Sequence, residues 1–220
     1  EQIDQWQNSP TPDLLRGYFL ISKYFFPNTN FEVIERKVMR IRQSIWLELN
    51  SNQTPFEQIQ IFNQVLYYHL GFKGEQEASQ NEDFCLNHVL ESKKGNPISL
   101  GILYIVLARS LNLPVFGVCL VNYFILAFCK SEQIDFKEDD ELHKQVLFYL
   151  NPFQKGVIFS KNQIDDYLKR LDTKQNSLYY SPADTIRVIK EMLHYLIVIN
   201  EQKKEMDVVT DLREIAGRIQ

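Results

Sequence analysis

Residues 95–128 read GNPISLGILYIVLARSLNLPVFGVCLVNYFILAF, and the change of period inside this stretch decides the fold. From Gly95 to Pro114 nearly every position is apolar, with small Gly101 and Ala108 where another backbone can approach. That pattern predicts a central helix surrounded by other elements. Asn96 suits its cap, and Pro97 suits its first turn, where a missing N–H removes no intrahelical bond. Beyond Pro114 the period falls to two. VFGVCL at 115–120 and YFILAF at 123–128 are β-branched and aromatic, with Val121-Asn122 as the turn between them. QVLFYL from Gln145 repeats the pattern, and a short strand, VIFS, follows Gly156. Both faces of these strands are apolar, so helices must cover the sheet on at least one side.

Outward from this core the chain is helical. Leu14, Leu15 and Phe19, then Ile34, Val38, Ile41, Ile45 and Leu49, recur at spacings of three and four, and Asn30 is placed to cap the second helix. A third helix is predicted from Thr54-Pro55 to a stop at Gly71, and a short one around Phe84 to Glu91 after the polar loop Glu75 to Asn81. C-terminal to the strands, Ser160 opens a helix bearing Ile164, Tyr167, Leu168 and Leu171. After the linker Asp172 to Ser177, Ser181-Pro182 is expected to open a helix over 183–200, with a last one over about 205–220. Ile186, Ile189, Leu193 and Leu196 are spaced to face Val208, Leu212, Ile215 and Ile219 in a helical hairpin. The expected organisation is a helical cap (1–80), an α+β core (81–172) and a C-terminal hairpin (173–220).

Composition narrows the function. The 220 residues are 45% apolar and 24% charged, and 24 basic against 28 acidic side chains give a net charge of -4. Such a balance, with no long basic run, argues against nucleic acid and anionic membrane surfaces as partners. The longest apolar run, Ile98 to Leu107, is far short of the roughly 20 residues that span a bilayer. No basic segment leading into an apolar stretch follows Glu1, so no signal peptide is expected. Cys85, Cys119 and Cys129 form no CxxC pair, which fits a reducing, cytoplasmic setting without disulfides. The acidic run Lys137 to Glu141 lacks the spacing of a calcium loop and reads as a solvated hairpin. No cofactor and no metal are expected.

Several blocks carry a resemblance. FCLNHVLESKKGNPISLGILYIVLARSLNLPVFGVCLVNYFILAF, then LFYLNPFQKGVIFSKNQIDDYL, resemble the transglutaminase-like family typified by the bacterial SirB-one protein. FNQVLYYHLGFKG is similar to that family's N-terminal helical part, and SPADTIRVIKEMLHYLIVIN to the helix that begins its tetratricopeptide-like tail. The resemblance implies a papain-like α+β core, a central helix packed on a small antiparallel sheet. In active relatives it also implies a cysteine at the start of that helix, a histidine on the next strand and an aspartate on the strand after. A thiolate attacks, the helix N-terminus lowers its pKa, imidazole takes the proton and the carboxylate fixes the tautomer.

Here the matching positions are Pro97, Tyr123 (in Asn122-Tyr123-Phe124) and Asn151 (in Asn151-Pro152-Phe153). Proline has no nucleophile, a phenol with a pKa near 10 is a poor base at neutral pH, and an amide cannot balance an imidazolium. All three chemistries are absent from their expected places.

Other groups offer replacements. Ser99 reads as a helix-start hydroxyl. Cys119 is assigned the strand parity of Tyr123, which makes it a candidate displaced nucleophile, though a small core hydrophobe is the plainer reading. Cys85 and His88 read as a structural pair, His69 and His194 as packed on helices, and His143 as part of the acidic loop. If the resemblance holds, Asn96, Ser99, Cys119, Tyr123 and Asn151 converge on a pocket offering amide, hydroxyl and free N–H groups. The simpler alternative is that Tyr123 and Asn151 hydrogen-bond each other and fill the old site. The expected function is a catalytically inactive domain that binds a protein or peptide. The alternative is a cysteine-type amide hydrolase or acyl transferase acting through Cys119.

Overall fold

A computed structural model describes residues 1–75, 80–136, 139–174 and 176–219. Most of the polar loop after Glu75, Lys137 and Glu138 of the acidic run, Gln175 of the linker and Gln220 of the last helix lie outside the described residues.

The chain opens with α1 (Gln2–Gln7), α2 (Leu14–Phe25), α3 (Phe31–Trp46) and α4 (Pro55–Asn63). Asn30 caps α3 through its side chain, and Thr54 with Glu57 forms a capping box on α4. The sequence predicts α4 as one helix to Gly71. Instead it widens after Asn63 into a π-helical stretch, Gln64–His69, which still buries Val65, Leu66 and Tyr67. A two-residue parallel pair, β1 (Lys73–Gly74) and β2 (Lys94–Gly95), brackets α5 (Leu86–Ser92).

The central helix is α6 (Pro97–Arg109), closed at its start by a capping box between Asn96 and Ser99. An antiparallel sheet follows in the order β3 (Val115–Leu120), β4 (Tyr123–Cys129), β5 (Val146–Asn151), β6 (Val157–Phe159). Asn122, the second residue of the β3–β4 turn, takes φ +57°, a left-handed conformation that asparagine tolerates. After the sheet come α7 (Lys161–Arg170), α8 (Thr185–Lys203) and α9 (Met206–Arg218). This is the expected α+β fold, a small antiparallel sheet with a central helix and helical termini.

Period-two alternation sorts the strands between two layers. Val115, Cys119, Phe124, Leu126, Phe128 and Leu150 join one core with α6 and the N- and C-terminal helices. Phe116, Val118, Leu120, Ile125, Ala127 and Tyr149 join a smaller one with Ile164 and Leu168 of α7. Both faces of the sheet are therefore covered.

Close approach fixes α6 on its face. The Phe124 ring is fully buried. A Cβ at Gly101 of α6 would come within 2.6 Å of that ring, and so would one at Gly117 of β3. Both glycines make room for one phenyl group, whose burial contributes roughly 1.5–3 kcal/mol.

One boundary differs from expectation. Ser181 to Ala183 do not begin α8; Ala183 bridges the edge strand at Gly117, donating its N–H to the Gly117 carbonyl at 2.8 Å, and Asp184 caps α8 by accepting from the Arg187 N–H at 2.7 Å. An unpaired strand edge is costly, and satisfying it outweighs the helix-opening bias of Ser-Pro. The C-terminal hairpin is docked. The buried Asn200 amide exchanges hydrogen bonds with Asn81 (2.8 and 3.1 Å), tying the end of α8 to the turn before α5.

Candidate functional site

Sheet parity separates the residues that the sequence groups into one pocket. In the β3–β4 register, Leu120 is paired with Tyr123 and Cys119 with Phe124. Directly opposed residues of an antiparallel pair point to the same face. Tyr123 thus projects toward α7, whereas Cys119 projects with Phe124 to the opposite face. The shared parity assigned to Cys119 and Tyr123 is incorrect: a two-residue turn puts 120, not 119, opposite 123.

Asn151 ends β5 opposite Val157 and lies on the Tyr123 face. The Tyr123 hydroxyl donates to Asn151 Oδ1 at 3.3 Å, and the same oxygen accepts from the backbone N–H groups of Phe153 (3.1 Å) and Gln154 (3.2 Å). The carboxamide therefore caps the Asn151–Gln154 turn as an Asx motif while holding the phenol. Burial raises the Tyr123 pKa above the ordinary phenol value, only partly opposed by the bond to Asn151. A neutral phenol paired with a saturated amide oxygen can donate and accept hydrogen bonds, but it takes up no proton near neutrality.

Pro97, Asn96 and Ser99 sit elsewhere. Asn96 Oδ1 accepts from the Ser99 N–H at 2.9 Å, Ser99 Oγ accepts from the Asn96 N–H at 3.0 Å, and both side chains are buried. Asn96 Nδ2 turns to the Asp83 carbonyl at 3.4 Å. Ser99 lies beside Tyr18 of α2, whose pKa is driven far up by burial. These groups face the helical layer, so the five-residue pocket does not assemble. Pro97 is half-buried at the first position of α6. One turn on, a Cβ at Gly101 would meet the Phe124 ring and come within 3.5 Å of Pro152, the neighbours of Tyr123 and Asn151 that point the other way.

The thiols are buried as well. Cys119 is 7% exposed and faces α8; burial, then Glu191, pushes its pKa up to about 12 despite Arg187 nearby. Burial likewise pushes Cys85, beside Glu82 and Asp83, and Cys129, opposed by Arg109, to about 12. His88 comes no nearer than 3.9 Å to Asp83. Among the described residues no three His, Cys, Asp or Glu side chains converge to hold a metal ion, and no helix is long and apolar enough to cross a membrane.

A cleft of about 390 Å³ opens beside the Tyr123–Asn151 pair. Its apolar wall is Leu120, Ile125, Val157, Phe159 and Ile164; its polar rim adds Gln154, Gln163, Tyr167 and Arg170. The Tyr167 hydroxyl donates to the Val121 carbonyl at 2.8 Å, anchoring α7 to the hairpin turn. The sequence signals Ile164 and Tyr167 only as the apolar face of a helix. Gln163, Tyr167 and Arg170 follow at i, i+4, i+7, one stripe of α7, but that spacing gains meaning only once α7 is known to cover the Tyr123 face.

Comparison with known proteins places the chain. Residues 32–194 match the family described as Transglutaminase-like superfamily. The UPF0162 protein of Vibrio cholerae serotype O1 is 26% identical over 157 residues, 71% of this chain and 53% of that protein. The UPF0162 protein YchA of Escherichia coli K12 is 26% identical over 189 residues, 83% of this chain and 63% of its own. F-box only protein 21 of Mus musculus is 26% identical over 142 residues, 64% of this chain and 21% of that protein. The chain thus spans between half and two thirds of the two bacterial relatives. No solved structure matches it. With the match covering most of the chain and the central helix lying on an antiparallel sheet, the chain belongs to the transglutaminase-like superfamily.

Proposed function

We propose that this chain is a non-catalytic, SirB-one-type member of the superfamily that binds a protein or peptide in the cleft beside Tyr123. The observation that carries the reading is the Tyr123–Asn151 pair. Where active relatives are expected to hold imidazole and carboxylate, a phenol donates to an amide oxygen already engaged by two backbone N–H groups. Pro97 supplies no thiol at the helix start. The alternative, hydrolysis or acyl transfer through Cys119, needs an accessible thiolate, and Cys119 is buried, has its pKa raised, and faces away from the cleft. The three free, buried cysteines accord with a cytoplasmic protein without disulfides. The tetratricopeptide-like character of the α8–α9 hairpin and the three-part division at 80 and 172 belong to the same proposal. The tail serves as a docked wall, since Asn200 binds it to Asn81.

A thiol-reactive probe at pH 7.5 tests the reading. The native chain is expected to label slowly at all three cysteines and fast only after denaturation. Rapid labelling confined to Cys119 in the native state would overturn it in favour of the enzyme.

A further inference from the structure

We infer that the cleft takes the C-terminal end of a peptide, an apolar last residue together with its α-carboxylate; this rests on the binding role proposed above and names its ligand class. Three observations converge on it. First, about 390 Å³ lies near the lower limit of small-ligand pockets, which run from about 300 to 1,000 Å³. It has room for one or two residues.

Second, the hydrogen-bonding groups on the rim have a definite polarity. Asn151 Oδ1 accepts from three donors, which fixes the orientation of the amide. Its Nδ2 group has no partner among the described residues. Gln163 is oriented in the same way, because its Oε1 accepts from the Ser160 N–H at 3.0 Å and its Nε2 has no partner among the described residues. Both amides have their acceptors committed locally and their donors available.

Third, the cleft carries one sign of charge. Arg170 is an exposed guanidinium with no ion pair among the described residues, and no Asp or Glu lines the cleft. Guanidinium recognises carboxylates through a planar fork, often bidentate. The apolar wall requires a hydrocarbon side chain, while the rim requires an anionic acceptor within one residue's reach. A peptide's last residue meets both demands when its side chain is aliphatic or aromatic. An internal glutamate supplies the charge but brings chain on both sides of it, which this volume does not accommodate.

The probe is an N-terminally fluorescein-labelled tetrapeptide of glycine, serine, alanine and a terminal leucine, prepared as the free acid and as the C-terminal amide. Binding to the full chain is read by fluorescence anisotropy. The free acid is expected to bind about tenfold more tightly or better, the scale of charge-assisted hydrogen bonds. Arg170→Gln, at an exposed position, is expected to weaken the free acid about tenfold, abolishing that preference, with a smaller effect on the amide. Val157→Asp, which adds a carboxylate at an exposed wall position, is expected to weaken the free acid more than the amide. Equal affinity for both forms, with both weakened by Val157→Asp, would sink the carboxylate inference and leave the binding role standing. Failure of both forms to bind at millimolar concentration would sink both readings.

Discussion

The two faces of the sheet are built from the same strands and do opposite things. On the α6 face the packing is closed: Phe124 fills the space left by Gly101 and Gly117, and Leu126, Phe128 and Leu150 continue the same core. On the α7 face, Phe116, Val118 and Tyr149 pack beside Ile164 and Leu168, but where the strands end the layers part and Tyr123 and Asn151 line a cleft. Adjacent residues in β4, Tyr123 and Phe124, thus belong to a site and to a scaffold. Removing each side chain should give very different costs. Phe124→Ala is expected to lose about 3–5 kcal/mol of stability, the range for a buried aromatic cut to a methyl group. Tyr123→Ala, half-exposed beside the cleft, is expected to lose less than half as much. Urea unfolding of the two variants measures the contrast, and equal losses would show that the α7 face is as tightly packed as the other.

The next largest effect tests the closed face from its partner helix. Gly101→Ala forces a methyl group toward the Phe124 ring, 2.6 Å from two of its carbons, in a layer with no space for the ring to retreat because Gly117 backs it. Alanine is the better helix former by about 1 kcal/mol, so propensity alone predicts a gain. Overpacking is expected to win, with a net loss of about 1–3 kcal/mol. A rise in Tm on Gly101→Ala would mean that the helix shifts without cost and that the glycine pair is not what sets its distance from the sheet.

How much of this was legible in the sequence follows from the same contrast. The central helix, its cap at Asn96 and the strands at 115–120 and 123–128 were readable, because an all-round apolar helix and period-two aromatic runs are local signals. The resemblance named Pro97, Tyr123 and Asn151, and of these the fold joins Tyr123 to Asn151. Grouping Cys119 with Tyr123 failed because faces depend on register, and a two-residue turn reverses which neighbour is opposed; Asn96 and Ser99 were lost to the pocket because they cap α6 with each other. The start of α8 was misplaced because Ala183 is held by a hydrogen bond to a strand more than sixty positions earlier. The place of Gln163 and Arg170 on the cleft was hidden for the same reason: exposed polar residues on a helix signal nothing until the covering face is known.

On the open face the turn at Asn151 should matter more than the phenol it holds. Asn151→Ala strips the Phe153 and Gln154 N–H groups and the Tyr123 hydroxyl of one shared acceptor. A loss of about 1–2 kcal/mol is expected, comparable to deleting a helix cap. Tyr123→Phe removes only one of the three donors and should lose about 1 kcal/mol or less. Thermal unfolding of the pair orders the two; a larger loss for Tyr123→Phe would place the organising role on the phenol.

The smallest expected effect lies at the edge of the closed face, where Cys119 meets α8. Arg187, Glu191 and Tyr195 are spaced at i, i+4, i+8 on that helix, and the Tyr195 hydroxyl is buried without a hydrogen-bond partner among the described residues. Glu191 has its pKa raised chiefly by burial, although His194 and Arg187 both act to lower it. A carboxyl whose pKa is higher in the folded chain favours the native state when protonated. Its contribution is complete below the ordinary value of 4.5 and is lost as pH rises through the raised one. Glu191→Gln keeps the neutral form at every pH. It is therefore expected to match the parent chain in Tm near pH 4 and to exceed it at pH 7.5, other carboxylates cancelling in the difference. A larger gain at pH 4 than at pH 7.5 would mean that the ionised carboxylate, held by Arg187, is the form the fold prefers, and that this end of the closed face tolerates charge as readily as the open one.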